Sequence, residues 1–193
     1  MVDLTTINDQ ESASSLKQSV VIGADSFKQG NGEYNVSVGN ESSFNLHGNS
    51  NTVIGASAAK NNMYGYNNVF IGSEAGYSNN TMASSDNVCV GTKAGYVVGS
   101  SNNTFVGSYS GFGSILAHDN VYVGNYSGYS NASGESNVII GTNAGEHADN
   151  LGNVDIISDK TTSQYITGSA QVASATDPNV AWLYIQHWTF MPT

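Results

Sequence analysis

A five-residue phrase, polar at its start, β-branched through its middle and closed by glycine, recurs along most of the chain. It reads SVVIG, NVSVG, NTVIG, NVFIG, NVCVG, NTFVG, NVYVG and NVIIG, with the glycine at 23, 39, 55, 72, 91, 107, 124 and 141. Successive glycines lie 16, 16, 17, 19, 16, 17 and 17 residues apart. A degenerate ninth copy, NVDII, begins at Asn153. Three residues after each glycine stands a small residue: Ser26, Ser42, Ala58, Ala75, Ala94, Ser110, Ser127 or Ala144. The next position is Gly in the last five copies, and the one after it is often aromatic (Phe44, Tyr77, Tyr96, Phe112, Tyr129).

Repetition at a fixed short period predicts a solenoid. The unit is too short for a βαβ crossover, which takes about 30 residues, but it accommodates two short strands and two turns. Recurrent Gly and β-branched residues disfavour helix. The expected fold is all-β, a parallel β-solenoid or β-roll of eight to nine coils with 16–19-residue repeats. Its coils should stack at the ~4.7–4.9 Å spacing of paired strands. The Asn that opens seven phrases is expected to form an amide ladder between coils.

Strand alternation assigns faces. Positions two and four of each phrase are Val, Ile or Thr throughout, and are expected to fill the coil interior opposite the Ala/Ser position. Position three is then outward. It reads Val21, Ser37, Val53, Phe70, Cys89, Phe105, Tyr122 and Ile139. An outward stripe that is mostly apolar marks an interface, and a strand apolar on both faces is normally buried on both. Val21, Val53, Phe70, Cys89, Phe105, Tyr122 and Ile139 are therefore expected at an oligomer interface between copies of the chain.

The N-V-x-I-G-x-x-A unit resembles the head repeats of YadA-type trimeric autotransporter adhesins. It also resembles the N-T-x-[VI]-G-x-x-A-G repeats of phage tail fibres and related viral fibres. The likeness covers about residues 19–157. It implies a left-handed β-roll, three chains about one axis, and presentation of loops or a tip to host surfaces without catalysis. The adhesins carry a secretion signal and a membrane-anchor barrel; no basic-then-apolar leader is visible here, which favours the viral fibre and a virion or extracellular location.

Composition narrows the partners. Charged residues are only 10% of the chain, with five Lys, no Arg and a net charge of −10. Nucleic acid and anionic membrane surfaces both call for clustered cations, so neither is expected as a partner. No apolar run approaches the ~18 residues of a membrane span. A host glycan or surface protein remains as the ligand class. The single cysteine, Cys89, excludes an intrachain disulfide and is expected to pack as a small apolar residue. His47, His118, His147 and His187 show no metal-ligand spacing, and Gly-x-x-Ala-Gly lacks the Lys of a phosphate loop. No cofactor or catalytic site is assigned.

The organisation expected is an attachment or cap segment over residues 1–18, the repeat body over 19–157, and an aromatic-rich cap or tip over 158–193, with Trp182, Tyr184, Trp188 and Phe190 as receptor contacts. The resulting expectation is a homotrimeric fibre, joined by its N-terminus to a viral or other fibre assembly and meeting the host through turns or tip. Three alternatives stand beside it. One is a structural spacer. Another is a polysaccharide depolymerase using paired carboxylates. The last is an ice-binding solenoid, disfavoured because an outward aromatic and aliphatic row is not a flat Thr row.

Overall fold

The computed structural model describes residues 19–79, 84–145, 156–157 and 165–166. The chain is an all-β parallel β-solenoid of about seven turns with repeats of about 17 residues. Strands β1 (Val20–Ile22), β2 (Val36–Val38), β3 (Thr52–Ile54), β4 (Asn61–Asn62), β5 (Val69–Ile71), β6 (Ser78–Asn79), β7 (Val88–Val90), β8 (Thr104–Val106), β9 (Val121–Val123) and β10 (Val138–Ile140) follow one another along the repeat body. All but β4 and β6 form one parallel sheet in the order β1-β2-β3-β5-β7-β8-β9-β10. The register never slips: phrase position pairs with the same phrase position in every coil, as in Phe70↔Cys89 and Phe105↔Tyr122. Of the ninth copy only the last two residues are described, and they lie outside this sheet. Strand β11 (Ile156–Ile157) pairs antiparallel with β12 (Tyr165–Ile166) instead.

Among the described residues, the opposite wall of each coil is built mainly from turns rather than the expected second strand; β4 and β6 pair there, in parallel. Non-glycine residues with positive φ recur at fixed coil positions, for example Glu74 (56°), Lys93 (54°), Tyr109 (57°) and Tyr126 (57°), two residues after the phrase glycine. Such corners let a wall of turns still hydrogen-bond coil to coil, as Gly95 N–H does to the Ser110 carbonyl (2.8 Å) and Gly111 N–H to the Ser127 carbonyl (2.9 Å). The phrase glycine is required by close approach. Gly91 has φ 138°, and a Cβ there would lie 2.6 Å from the Gly107 carbonyl carbon and closer still to its oxygen.

The Asn ladder forms as expected. Asn35, Asn51, Asn68, Asn87, Asn103, Asn120 and Asn137 are all buried. Each Oδ1 up to Asn120 accepts from both the backbone N–H and the Nδ2 of the next Asn, as Asn87 Oδ1 does from Asn103 N (2.9 Å) and Nδ2 (3.1 Å). Ser19, which opens the first phrase, accepts the Asn35 N–H through Oγ (3.0 Å) and forms the foot of the ladder.

Asn at position one points inward, and alternation then carries position three inward as well. The expected face assignment is therefore reversed. Val21, Ser37, Val53, Phe70, Cys89, Phe105, Tyr122 and Ile139 lie in the interior, almost wholly shielded within a single chain. Positions two and four face out. The residues assigned to an oligomer interface are instead the core of each coil, so none of them can meet another chain across the sheet. The Ala/Ser position does face the interior as expected, from Ser26 to Ala144.

The interior cross-section is filled by complementary volumes. Where the residue following Ala/Ser carries a side chain, position three is small: Val21 with buried Phe27, Ser37 with Ser43, Val53 with Ala59. Where that residue is Gly, position three is larger, as in Phe70 beside Gly76 and Tyr122 beside Gly128. Cys89 is the small member of the glycine group, and buried Val98 fills the remaining space against Gly95. Ser37 is balanced chemically too: its hydroxyl lies 2.9 Å from Ser26 Oγ and 2.7 Å from Ser42 Oγ, so the polar core position has partners on both sides.

Candidate functional site

Three outward surfaces of the coil are built by the repeat. The first is the outer face of the main sheet. Its two columns are Val20, Val36, Thr52, Val69, Val88, Thr104, Val121, Val138 and Ile22, Val38, Ile54, Ile71, Val90, Val106, Val123, Ile140. Several are openly exposed: Val20 by 51%, Ile140 by 45% and Ile22 by 44%. No charged residue occupies either column. The described charged side chains all lie outside these columns, and among them Lys60 meets Glu41 (2.9 Å), Lys93 meets Glu74 (3.7 Å) and Lys28 meets Asp25 (2.7 Å).

The second surface is aromatic. Tyr77, Tyr96, Phe112 and Tyr129 stand five residues after the phrase glycine and stack coil on coil, with ring centroids 4.9 Å apart and planes within 10°. Tyr109 and Tyr126, in the positive-φ corner, form a second stack at 4.8 Å. The two stacks meet at a tilt, with ring centroids 5.6 Å apart and planes at 35° for Tyr109–Phe112, and 5.3 Å and 39° for Tyr126–Tyr129. Lys93 Nζ sits 5.6 Å from the ring centres of both Tyr96 and Tyr109, and burial raises the Tyr96 phenol, with Glu74 and Tyr77 adding to the effect. Both faces of Tyr96 and of Phe112 are covered by neighbouring rings, so a sugar cannot lie flat on them. What the strip offers a partner is ring edges and Tyr hydroxyls at coil spacing.

The third surface is a turn edge. His118 Nδ1 lies 2.8 Å from Asp119 Oδ2 and Nε2 lies 3.0 Å from Glu135 Oε2, one coil on. Both ring nitrogens meet carboxylate oxygens, an arrangement that suits the doubly protonated imidazolium. The Asp119 hydrogen bond, with the nearby Glu135 charge, holds the His118 pKa above its ordinary value. Asp119 is correspondingly lowered, through His118 first and Asn102 second. His47 also lies in a turn, its Nδ1 2.8 Å from Asn31 Oδ1.

Cys89 is fully buried, and desolvation pushes its thiol far above the ordinary range. It packs as a small apolar residue and is not placed to act as a nucleophile. Among the described residues Tyr122 has the largest fully buried side chain; its hydroxyl accepts from Asn131 Nδ2 (2.6 Å), and burial raises its pKa. Among the described residues, no group of three or more His, Cys, Asp or Glu could hold a metal ion, and no helix is long and apolar enough to cross a membrane. Trp182, Tyr184, Trp188 and Phe190, His147, His187 and the 1–18 segment lie outside the described residues.

Sequence reasoning overlooked the Tyr109–Tyr126 stack and misplaced the aliphatic columns. A signal for both was present. Tyr recurs two residues after Gly107 and Gly124, and an amide ladder at position one requires position three, not two and four, to share its face.

No protein-family model matches the chain, and no curated protein or solved structure matches it.

Proposed function

We propose that the chain is a structural fibre element of a virion, a tail fibre or spike, whose rigid coil stack presents turns or a tip for binding to a host surface. It works as a homotrimer in an extracellular setting, attached through its N-terminal segment to a larger assembly, and it has no catalytic role. The resemblance to viral fibre and adhesin head repeats points in this direction.

The observation that carries the reading is the separation of a constant body from variable turns. Between Asn68 and Asn87 the coil is 19 residues long, yet Asn68 Oδ1 still accepts from Asn87 N (2.9 Å) and Nδ2 (3.2 Å), as in the 16-residue coil between Asn87 and Asn103. The longer coil leaves the ladder register unchanged. A scaffold of this kind tolerates diversity at its edges, where binding residues concentrate.

The test is binding of the full chain to immobilised host-surface glycans and to intact cell envelopes, with released reducing sugar monitored in parallel. Saturable binding without sugar release is expected. Absence of binding to every surface would leave a structural spacer, and released oligosaccharide would identify a depolymerase.

A further inference from the structure

We infer that the stacked tyrosines are an oxidative cross-linking site: a one-electron oxidant joins Tyr109 to Tyr126, and Tyr77 to Tyr96, through dityrosine bonds that staple one coil to the next. This rests neither on host binding nor on association of chains. Tyr109 and Tyr126 each stand two residues after a phrase glycine, both with φ 57°. The unslipped register lays one ring over the other, with centroids 4.8 Å apart and planes 6° apart. Tyr77 and Tyr96, each five residues after a phrase glycine, stack at 4.9 Å and 4°. Rings related by the coil repeat point the same way, so a carbon ortho to one hydroxyl faces its counterpart on the next ring. All four side chains are half-buried, open to an electron acceptor yet held beside their partners. Phe112 sits between Tyr96 and Tyr129. It has no hydroxyl and forms no phenoxyl, which confines coupling in the longer stack to Tyr77 and Tyr96.

The chemistry closes without a group from the protein other than the phenols. Each phenol gives one electron to the oxidant and its hydroxyl proton to water. The two phenoxyl radicals pair their electrons in a new carbon–carbon bond between ortho positions. The hydrogen on each of those carbons then moves, as a proton, back to its own ring's oxygen. The net loss is two electrons and two protons per bond, and hydrogen peroxide acting through a haem peroxidase takes both and becomes water. Holding the rings together replaces the bimolecular encounter that free tyrosyl radicals need. The resulting bond closes one coil, 17 residues for Tyr109–Tyr126 and 19 for Tyr77–Tyr96, and restrains the unfolded chain as a disulfide does. An intrachain disulfide is not open to this protein, because Cys89 is its one cysteine.

The experiment treats the dilute full chain with hydrogen peroxide and a haem peroxidase. Dityrosine fluorescence, peptide mapping of the chain recovered at 20.2 kDa on a denaturing gel, and urea unfolding are then measured. Linked peptides joining Tyr109 to Tyr126 and Tyr77 to Tyr96 are expected, with two hydrogens lost per bond and the unfolding midpoint shifted to higher urea. Tyr96→Phe combined with Tyr126→Phe keeps both ring stacks and is expected to abolish the intrachain signal and the shift. Tyr34, Tyr64 and Tyr66 are more exposed, by 54%, 53% and 50%, but lie outside the stacks, and are expected to stay unlinked. The inference is overturned by an absence of intrachain dityrosine, by coupling led by those exposed residues, or by a Tyr126–Tyr129 bond in place of Tyr109–Tyr126. An undiminished intrachain signal in the double variant overturns it as well.

Discussion

The ring of Phe105 lies against the backbone of Gly111, so closely that a Cβ at residue 111 would fall 2.6 Å from two ring carbons. Gly111 also has φ 59°, in the left-handed region. Gly111→Ala therefore combines overpacking with backbone strain, and is expected to destabilise the fold by about 2–4 kcal/mol. The third coil holds Val53 beside Ala59 at the equivalent positions, with both buried. Phe105→Val combined with Gly111→Ala copies that solution. Urea denaturation of the two single variants and the double variant should give a double variant less destabilised than the sum of the singles. Strict additivity would contradict volume complementarity within the coil.

The amide ladder makes a second prediction. Asn87 donates through Nδ2 to Asn68 Oδ1 (3.2 Å) and the Ser100 carbonyl (2.9 Å), while its Oδ1 accepts from Asn103. Asn87→Ala removes partners from several buried groups and is expected to lose about 2–5 kcal/mol. Asn87→Asp keeps the acceptor but faces two oxygens with no proton between them. Burial raises a carboxyl's folded pKa above its unfolded value of ~3.9. The protonated form is then favoured, and the variant should be most stable at low pH and lose stability as pH rises above the unfolded pKa. Thermal melts from acid to neutral pH would show this, and a pH-independent loss would contradict it.

The two faces of one strand should respond oppositely to the same substitution. Phe105 is fully buried and stacks on Tyr122 at 4.9 Å, so Phe105→Asp buries an unpaired charge and should abolish folding. Val106, its neighbour, points outward, and Val106→Asp should leave the β-sheet circular dichroism spectrum intact. Loss of the spectrum in Val106→Asp with retention in Phe105→Asp would restore the opposite face assignment.

The solenoid, its period and the Asn ladder were legible in the sequence because each is a strict periodic constraint. The face assignment was not, because Val and Ile occupy positions two and four while position three ranges from Ser37 to Tyr122. Hydrophobicity favoured the more uniform columns, but uniformity here belongs to the outer face. The interior tolerates variety because Phe27, Gly111 or Val98 adjusts the volume from across the coil. The aromatic strip was visible as Tyr77, Tyr96, Phe112 and Tyr129, yet its face-to-face stacking follows only from the unslipped coil register.

His118 gives a pH signature at the turn edge. Its pKa is raised, so the contribution of the clamp to stability is fully present below about pH 6.5, the unfolded value, and is lost as pH rises through the folded pKa. The side chain is 45% exposed, so this contribution is small and screened by salt. An NMR titration should place the His118 pKa above 6.5 in the wild type. Asp119→Asn should lower it by more than Glu135→Gln does. A pKa insensitive to both substitutions would contradict the clamp.

The face reversal is tested most directly by the thiol of Cys89, the one cysteine in the chain. A thiol reagent is applied to the native protein over a wide range of protein concentration, alongside a measurement of the global unfolding rate. Burial of Cys89 within its own coil predicts labelling no faster than unfolding and independent of dilution. Labelling faster than unfolding, and accelerating as the protein is diluted, would place Cys89 at a contact between chains and contradict the interior assigned to position three.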